Sequence, residues 1–383
     1  MLRPAYATQR RNGVSGSPGW FRDGDRRARV RHVASYRFEH RGTQNSLREL
    51  PVGSDTGVVQ HVYLDQNMWI DLAKARAGRK EKAHLVEVLQ ATQDAVRAGY
   101  ASFPLSAQHY IETSNRGSRE SREHLAGLML SLSQGHAIAS AQAVLSYEIE
   151  VALIKQLQLP DDLPPAIQIF GKGANHVFNT EVLTYEAPDE YEGHPLPAKL
   201  QALATVVGSA LTEFAILAGS PSSETTRPAM TQHMRLTGLK FAAGQQDLRD
   251  RIAEMGHGQL EDAMTATAIA DILDPLQAVC ARLGVDPVRL FAGGAEMLSS
   301  LVYAIPSRWV EREMRRLRHQ NPQMQWKGND LNDVMALSVA VPYCDVVVTE
   351  RQWTHLVRVA KVDQRFKTKV ISDLRRLPEL LER

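Results

Sequence analysis

Acidic side chains occur at two places in the chain, more than 200 residues apart, where an apolar run meets a helical pattern. In the first, the mostly apolar residues 58–64 lead into Asp65, and a helical pattern follows. In the second, Asp330 and Asp333 lie in a helical pattern before an apolar run that ends at Glu350. Open parallel sheets bind ligands outside the carboxyl ends of their strands. We therefore expect these acids to meet at one edge of a sheet.

Several carboxylates in a confined space would favour a divalent cation. They cannot all stay ionised there without one, and their hard oxygens suit Mg²⁺ or Mn²⁺. One or two such ions can activate a water and stabilise the leaving oxygen of a phosphodiester. Asn67 could add a neutral oxygen or hold Asp65 in place, and Thr349 could position a water or a carboxylate. These residue types indicate metal-dependent phosphodiester hydrolysis.

Strand polarity separates two acids of the second segment. Asp345 and Glu350 lie five residues apart, which is roughly 16 Å along a strand. Only one of them can reach the ligand-binding edge. Glu350 follows the strand and is expected there, whereas Asp345 precedes the strand and is expected at the opposite edge.

Each candidate acid also has a purely structural interpretation. Asp330 and Asp333 share one helix face and could simply cap the helix. Asp65 could begin a turn, Glu112 could lie on a helix surface, and Glu350 could be a cap or a solvated residue. The joint placement of these acids carries more weight than any one of them.

Four segments resemble motifs of the PIN-like nuclease family. They are the opening Leu64-Asp65-Gln66-Asn67, the strand and acid-bearing helix over residues 104–113, the run Asp333-Val334-Met335-Ala336-Leu337, and the closing Val347-Val348-Thr349-Glu350. The resemblance covers residues 60–113 and 305–380, roughly a third of the chain. It implies a three-layer α/β/α parallel sheet and cleavage of RNA or DNA with Mg²⁺ or Mn²⁺.

The resemblance also implies three or four acidic ligands. Carried to this chain they are Asp65, Glu112, Asp333 and Glu350, with Asp330 as a further metal candidate. Many family members have an acid one position after Glu350, where this chain has Arg351. Most are also compact, whereas about 190 residues separate the motifs here.

Residues expected to contact a nucleic-acid substrate flank the acids. Trp326 and Lys327 could stack on and steer a nucleotide, although Trp326 could equally cover the core. Asn67, Thr349 and Arg351 complete the candidate set. The run 308–319 holds five Arg and two Glu, and could contact phosphate or form a solvated amphipathic face.

Two further segments are expected to be structural. Residues 171–176 lack the Gly-Lys-Ser/Thr ending of a P-loop and are predicted to be a loop. His109, three residues before Glu112, could bind a metal, but a structural role is favoured because no second His lies nearby in the sequence.

Sequence patterns divide the chain into three parts. Residues 1–57 indicate a disordered basic arm or a misassigned start codon. Residues 58–114 and 305–383 have the β-α-β-α order that favours a parallel sheet, and form the predicted discontinuous nuclease domain. Residues 115–304 are predicted to be a large, mainly α-helical insertion with loop-rich stretches at 159–192 and 219–237.

The composition fits a soluble globular chain, with 383 residues, 43% hydrophobic and 23% charged. The net charge of +2 combines about +6 in residues 1–60 with about −4 elsewhere. Two distant cysteines, Cys280 and Cys344, favour a reducing cytosol. An N-terminus without an apolar core argues against a secretory signal. The longest uncharged stretch, 125–147, indicates a buried or partner-facing helical region rather than a membrane span.

These observations together predict a cytoplasmic, metal-dependent nuclease that acts on RNA in preference to DNA. A protein inhibitor or partner could bind the helical insertion, and no membrane contact is expected. One alternative is a catalytically inactive PIN-like protein with a nucleic-acid-binding or regulatory role. Another is a helical interaction protein, in which the insertion binds the partner.

Overall fold

The computed structural model describes residues 59–160, 162–181, 185–219, 225–321 and 323–381. The predicted basic arm, residues 1–57, lies outside the described residues. Eight strands are described: β1 Gln60–Leu64, β2 Ala101–Ser102, β3 His136–Ile138, β4 Phe170–Lys172, β5 Glu190–Tyr191, β6 His194–Pro195, β7 Val346–Val348 and β8 Lys369–Ile371.

Helices make up most of the described chain. In chain order they are α1 Gln66–Arg76, α2 Val86–Arg97, α3 Ala107–Ser114, α4 Arg119–Ser133, α5 Ala141–Leu157, α6 Gly173–Phe178, α7 Ala198–Ala218, α8 Arg227–Met255, α9 Leu260–Ala270, α10 Leu273–Arg282, α11 Val288–Ala292, α12 Gly294–Ala304, α13 Pro306–Gln320, α14 Asp330–Tyr343, α15 Arg351–Val359, α16 Val362–Phe366 and α17 Leu377–Leu381. Short 3₁₀ turns occupy Lys80–Leu85, His257–Gln259 and Leu374–Arg376.

Four strands form a parallel sheet in the order β2-β1-β7-β8. Leu64 pairs with Val348, and Val348 pairs with Ile371, so three strands end at the same edge. The mixed α/β class with a parallel sheet, predicted from the β-α-β-α order, is confirmed. The second strand spans only Ala101–Ser102, and Leu105 forms only an isolated bridge, to Ala137.

Hydrophobic layers cover both faces of the sheet. Leu64 and Val348 point into one cluster, with Trp69 of α1 and Leu374 near the C-terminus. The preceding residue of each strand, Tyr63 in β1 and Val347 in β7, points into another cluster on the opposite face. Successive strand residues face opposite sides, so a strand buried on both faces is apolar throughout. This explains why residues 62–64 of β1 and all of β7 are apolar without alternation.

The segment 115–304 shares its core with the sheet. Leu128 and Met129 of α4, and Leu217 of α7, belong to the same hydrophobic cluster as Leu64. Helices α5, α9, α10 and α12 form a separate cluster around Ile149 and Leu276. The segment therefore supports the sheet as well as building a core of its own.

The predictions of a loop at residues 171–176 and of a loop-rich stretch at 219–237 are wrong. Residues 171–176 form the end of β4 and the start of α6, because β4 pairs with β3, a long-range contact that local composition does not reveal. In the stretch 219–237, α8 begins at Arg227. Pro228 lies in its first turn, where proline is compatible with a helix.

The basic helix α13 is buried, which corrects both earlier interpretations of it. Arg312 is 4% exposed and is bonded to Glu313 and to Glu261 of α9. Arg315 lies 2.6 Å from Asp271, which follows α9. These arginines neither face solvent nor are open to phosphate. The acids that pair with them come partly from a distant segment, which a helical pattern cannot show.

Among the described residues, α7 is the helix whose length and apolar composition would allow it to cross a membrane. This test considers length and composition alone. Only 6% of its most apolar window is buried. Leu203, Val206 and Leu211 are 58%, 67% and 63% exposed. Its C-terminal end packs into the core through Leu217 and Ala218.

Candidate functional site

Two strands bring Asp65 and Thr349 together at the carboxyl edge of the sheet. Asp65 follows β1, and its backbone N–H donates to the carbonyl of Val348 at 2.9 Å. The Thr349 hydroxyl, fully buried after β7, donates to Oδ2 of Asp65 at 2.8 Å. Oδ1 of Asp65 accepts the N–H of Gln66 at 2.7 Å and so caps α1. Asp65 therefore caps a helix while its side chain lies at the edge.

Helix α3 carries Glu112 to this edge, and His109 fixes the helix there. The buried ring accepts the N–H of Ser106 at Nδ1 (2.9 Å), so the proton sits on Nε2 and is donated to the carbonyl of Leu64 at 2.8 Å. Burial lowers the pKa of His109 to about 4, which keeps the ring neutral. The structural role favoured for His109 is confirmed.

Helices α14 and α15 supply the other two acids. Asp333 lies in the first turn of α14, and its Oδ2 accepts the indole N–H of Trp353 at 2.9 Å. Asn332 beside it donates to Oε1 of Glu112 at 3.0 Å. Glu350 occupies the N-cap position of α15. The four acids thus come from four different elements.

Neutral side chains, rather than cations, hold each of these carboxylates. The donor–acceptor pairs are Thr349 with Asp65 (2.8 Å), Asn332 with Glu112 (3.0 Å), Trp353 with Asp333 (2.9 Å) and Asn67 with Glu350 (2.6 Å). Carboxylates that ligate metals are typically oriented by such hydrogen bonds. Asn67 thus bonds Glu350, whereas the sequence associated it with Asp65.

Mutual repulsion shows that the acids share one region. Burial raises the pKa of Asp333 to about 8, helped by the charges of Asp65, Glu112 and Glu350. Burial raises the pKa of Glu112 to about 7, again with Asp65 contributing. The pKa of Asp65 is also raised, first by burial. In the absence of a cation, Asp333 and Glu112 would therefore retain protons near neutral pH.

The remaining acidic candidates lie elsewhere. Asp330 is buried, 2.6 Å from Arg318, and accepts the N–H of Lys327 at 2.5 Å. Although it shares a helix face with Asp333, the structure does not bring Asp330 into the acidic group, because Arg318 holds it. Asp345 lies at the opposite edge of the sheet and accepts the N–H of His61 at 2.7 Å. Strand polarity alone predicted that position.

The candidate substrate-binding residues divide into two groups. Lys327 and Arg351 are exposed next to acidic residues, at the start of α14 and of α15. Trp326 is buried instead, with its ring 5.5 Å from Phe241 and the Arg318 guanidinium 4.6 Å away. Trp326 therefore covers the hydrophobic core and is not exposed for stacking on a nucleotide.

Three residues of the site were missed by the sequence analysis. Asn332, Trp353 and Arg318 contact the acids or their donors. Asn332 had a signal, since it lies between two acids of one helix. Trp353 lies three residues after Glu350, which was a weaker signal. Arg318 had none, because α13 resembled a surface helix.

The chemistry of the donors fits a hard divalent cation. All four side chains offer carboxylate oxygens, which Mg²⁺ and Mn²⁺ prefer. Within the part of the chain that the structure describes, no three His, Cys, Asp or Glu side chains are grouped closely enough to hold a metal ion. The four acids thus interact electrostatically, but their carboxylates are not close enough together to share one ion in this arrangement.

Comparison of the chain with known protein families, curated proteins and solved structures found no match.

Proposed function

We propose that this chain is a divalent-metal-dependent phosphodiesterase of PIN-like type, a nuclease that cleaves RNA in preference to DNA in the cytoplasm. One observation carries the proposal: Asp65, Glu112, Asp333 and Glu350, from four elements, interact electrostatically at the carboxyl edge of a parallel sheet. Burying like charges together raises the free energy of the fold. A bound cation would offset that cost, and this gives the arrangement a purpose.

The fold supports the PIN-like part of the proposal. Three of the resembling segments reach the same edge: Asp65 after β1, Asp333 on the helix before β7, and Glu350 after β7. The fourth segment contributes Glu112 from the helix after β2. Ligands bind at this edge in open parallel sheets.

The residues have distinct roles in this proposal. Asp65, Glu112, Asp333 and Glu350 would hold Mg²⁺ or Mn²⁺. The ion supplies Lewis acidity and a more acidic water for hydrolysis of a phosphodiester. Its ligand oxygens must lie about 2.0–2.6 Å from it, so the carboxylates would draw together when it binds.

Neutral and basic side chains complete the site. Asn67 and Thr349 orient Glu350 and Asp65 through the hydrogen bonds they already make. Lys327 and Arg351 lie exposed, beside the acids in sequence, and would contact substrate phosphates. Such contacts carry affinity without reading base sequence.

A cleavage assay with matched variants tests this function. The purified chain is incubated with mixed single-stranded RNA and DNA in Mg²⁺, in Mn²⁺ and in EDTA. We expect RNA cleavage that needs the metal, is lost in Asp65→Asn, and persists in Asp345→Asn, which changes an acid at the opposite edge. Circular dichroism checks that both variants fold. Full activity in Asp65→Asn, or in EDTA, would refute the proposal.

A non-catalytic nucleic-acid-binding or regulatory protein is the second candidate. It is favoured by the fact that, among the described residues, no three possible ligands are grouped for a metal. The exposed apolar side chains of α7 would suit the related case of a helical interaction protein. Binding of RNA without cleavage, unaffected by Asp65→Asn or by metal, would favour the binding protein over the enzyme.

A further inference from the structure

A buried arginine lies between two tryptophans beside the acidic site. The guanidinium carbon of Arg318 is 4.6 Å from the ring centre of Trp326 and 5.1 Å from that of Trp353. Arg318 is only 2% exposed, and within the described residues its Nε and Nη1 have no hydrogen-bond partner. The two indole faces compensate for these missing hydrogen bonds, because a guanidinium is attracted to the face of an indole ring.

Polar contacts fix the guanidinium in this position. Its Nη2 lies 2.6 Å from a carboxylate oxygen of Asp330 and donates to the carbonyl of Gln325 at 2.7 Å. Arg318 thereby ties α13 to the start of α14, the helix that carries Asp333. A cation so placed can move little, and neither can the rings against it.

The two tryptophans differ in one respect. The indole N–H of Trp353 donates to Oδ2 of Asp333 at 2.9 Å. The indole N–H of Trp326 is buried and meets no hydrogen-bond partner in the described chain. Both rings stack on Arg318, but only one bonds an acid of the site.

We propose that Trp353, held flat by Arg318, is a positioning residue that fixes the carboxylate of Asp333 for a divalent cation. The inference rests on the proposed function, which it deepens. It assigns the arginine and the tryptophan no contact with the substrate.

Electrostatics explain why Asp333 needs such a partner. Asp65, Glu112 and Glu350 repel the carboxylate of Asp333, whereas the charge of Arg318 attracts it. Free rotation would turn the carboxylate away from the other acids. The cation over the indole face draws electron density from the ring, so the N–H becomes a stronger donor. The bond engages Oδ2, and Oδ1 is the oxygen outside this contact.

A matched pair of variants tests the inference. Trp353→Phe and Trp326→Phe each keep an aromatic ring against Arg318 and lose one N–H. Binding of Mn²⁺ is measured by electron paramagnetic resonance, and thermal unfolding in EDTA checks the fold. We expect Trp353→Phe to weaken Mn²⁺ binding about 10- to 100-fold, as for other residues that orient metal ligands, and Trp326→Phe to leave it unchanged. Equal losses in both variants, or none in Trp353→Phe, would overturn the inference.

A metal-independent measurement separates this inference from the proposed function. In ¹H–¹⁵N spectra recorded in EDTA, Asp333→Asn should move the indole N–H signal of Trp353 and leave that of Trp326 in place. Absence of Mn²⁺ binding in the unaltered chain would defeat the proposed function, while the indole signal would still decide whether Trp353 holds Asp333. An unmoved Trp353 signal overturns the positioning role in either case.

Discussion

The metal-free protein should lose stability as the pH rises, because Asp333 resists ionisation. Its pKa in the folded protein is about 8, against a usual value of 3.8, first because of burial and then because of Asp65. Below the usual value, both the folded and the unfolded states hold the proton, and no penalty arises. Between the two values, only the folded state holds it, so each increase in pH favours unfolding. Above about 8 the loss is complete.

The magnitude follows from proton linkage. One extra proton in the folded state costs about 1.4 kcal/mol of stability per pH unit. Buried histidines act in the opposite sense below their usual value of 6.5, since burial lowers the pKa of His109 to about 4 and of His319 to about 3. A comparison with Asp333→Asn cancels their contribution. From pH 5 to 7, the variant should gain about 2.7 kcal/mol relative to the unaltered chain.

Urea denaturation at half-unit pH steps in EDTA measures this gain. Asp262→Asn, at an exposed position in α9, is the control and should show no such trend above pH 5. Saturating Mn²⁺ should then stabilise the unaltered chain at pH 7 more than Asp333→Asn. A stability difference that stays flat from pH 5 to 7 would show that Asp333 ionises normally and that the acids do not share a confined site.

Two further substitutions test the hydrogen bonds and ion pairs described above. Thr349→Val removes the hydroxyl that donates to Asp65 and keeps the shape of the side chain. The affinity for Mn²⁺, measured by calorimetric titration, should therefore fall about 10-fold or more. An unchanged affinity would contradict this role of Thr349. Glu313→Gln leaves Arg312 without its adjacent partner in a buried setting and should cost about 3–5 kcal/mol in urea denaturation. The exposed pair of Asp247 with Arg251 is its control, and Asp247→Asn should cost about 1 kcal/mol or less. Similar costs for both would show that α13 does not depend on its buried ion pairs.

The positions of Asp65 and Glu350 at the edge of the sheet could be predicted because they depend on local patterns. Asp65 and Glu350 each follow an apolar run, and in a parallel sheet both runs must end at the same edge. The same rule places Asp345 and Glu350 at opposite edges of the sheet. Burial on both strand faces makes residues 62–64 of β1 and all of β7 apolar, so the ends of these strands are visible in the sequence.

The partners of the acids could not be predicted, because they depend on packing between distant segments. Asp330 and Asp333 are equivalent by helical spacing, yet Arg318 takes the first and Trp353 the second. Helix α13 has the composition of a solvated helix. It is buried because α9 brings Glu261, and Asp271 follows that helix. Strand β4 was missed for the same reason, since it is defined by pairing with β3.

The choice of neutral donors around the acids is itself informative. A lysine or arginine paired with each carboxylate would cancel the charge and remove the repulsion that raises the pKa of Asp333. Hydroxyl, amide and indole groups orient the carboxyl groups without adding a compensating positive charge. Arg318, whose charge attracts Asp333, is itself paired with Asp330 at 2.6 Å. The side chains that bond the four acids therefore add no compensating positive charge, and the proposed divalent ion would supply it.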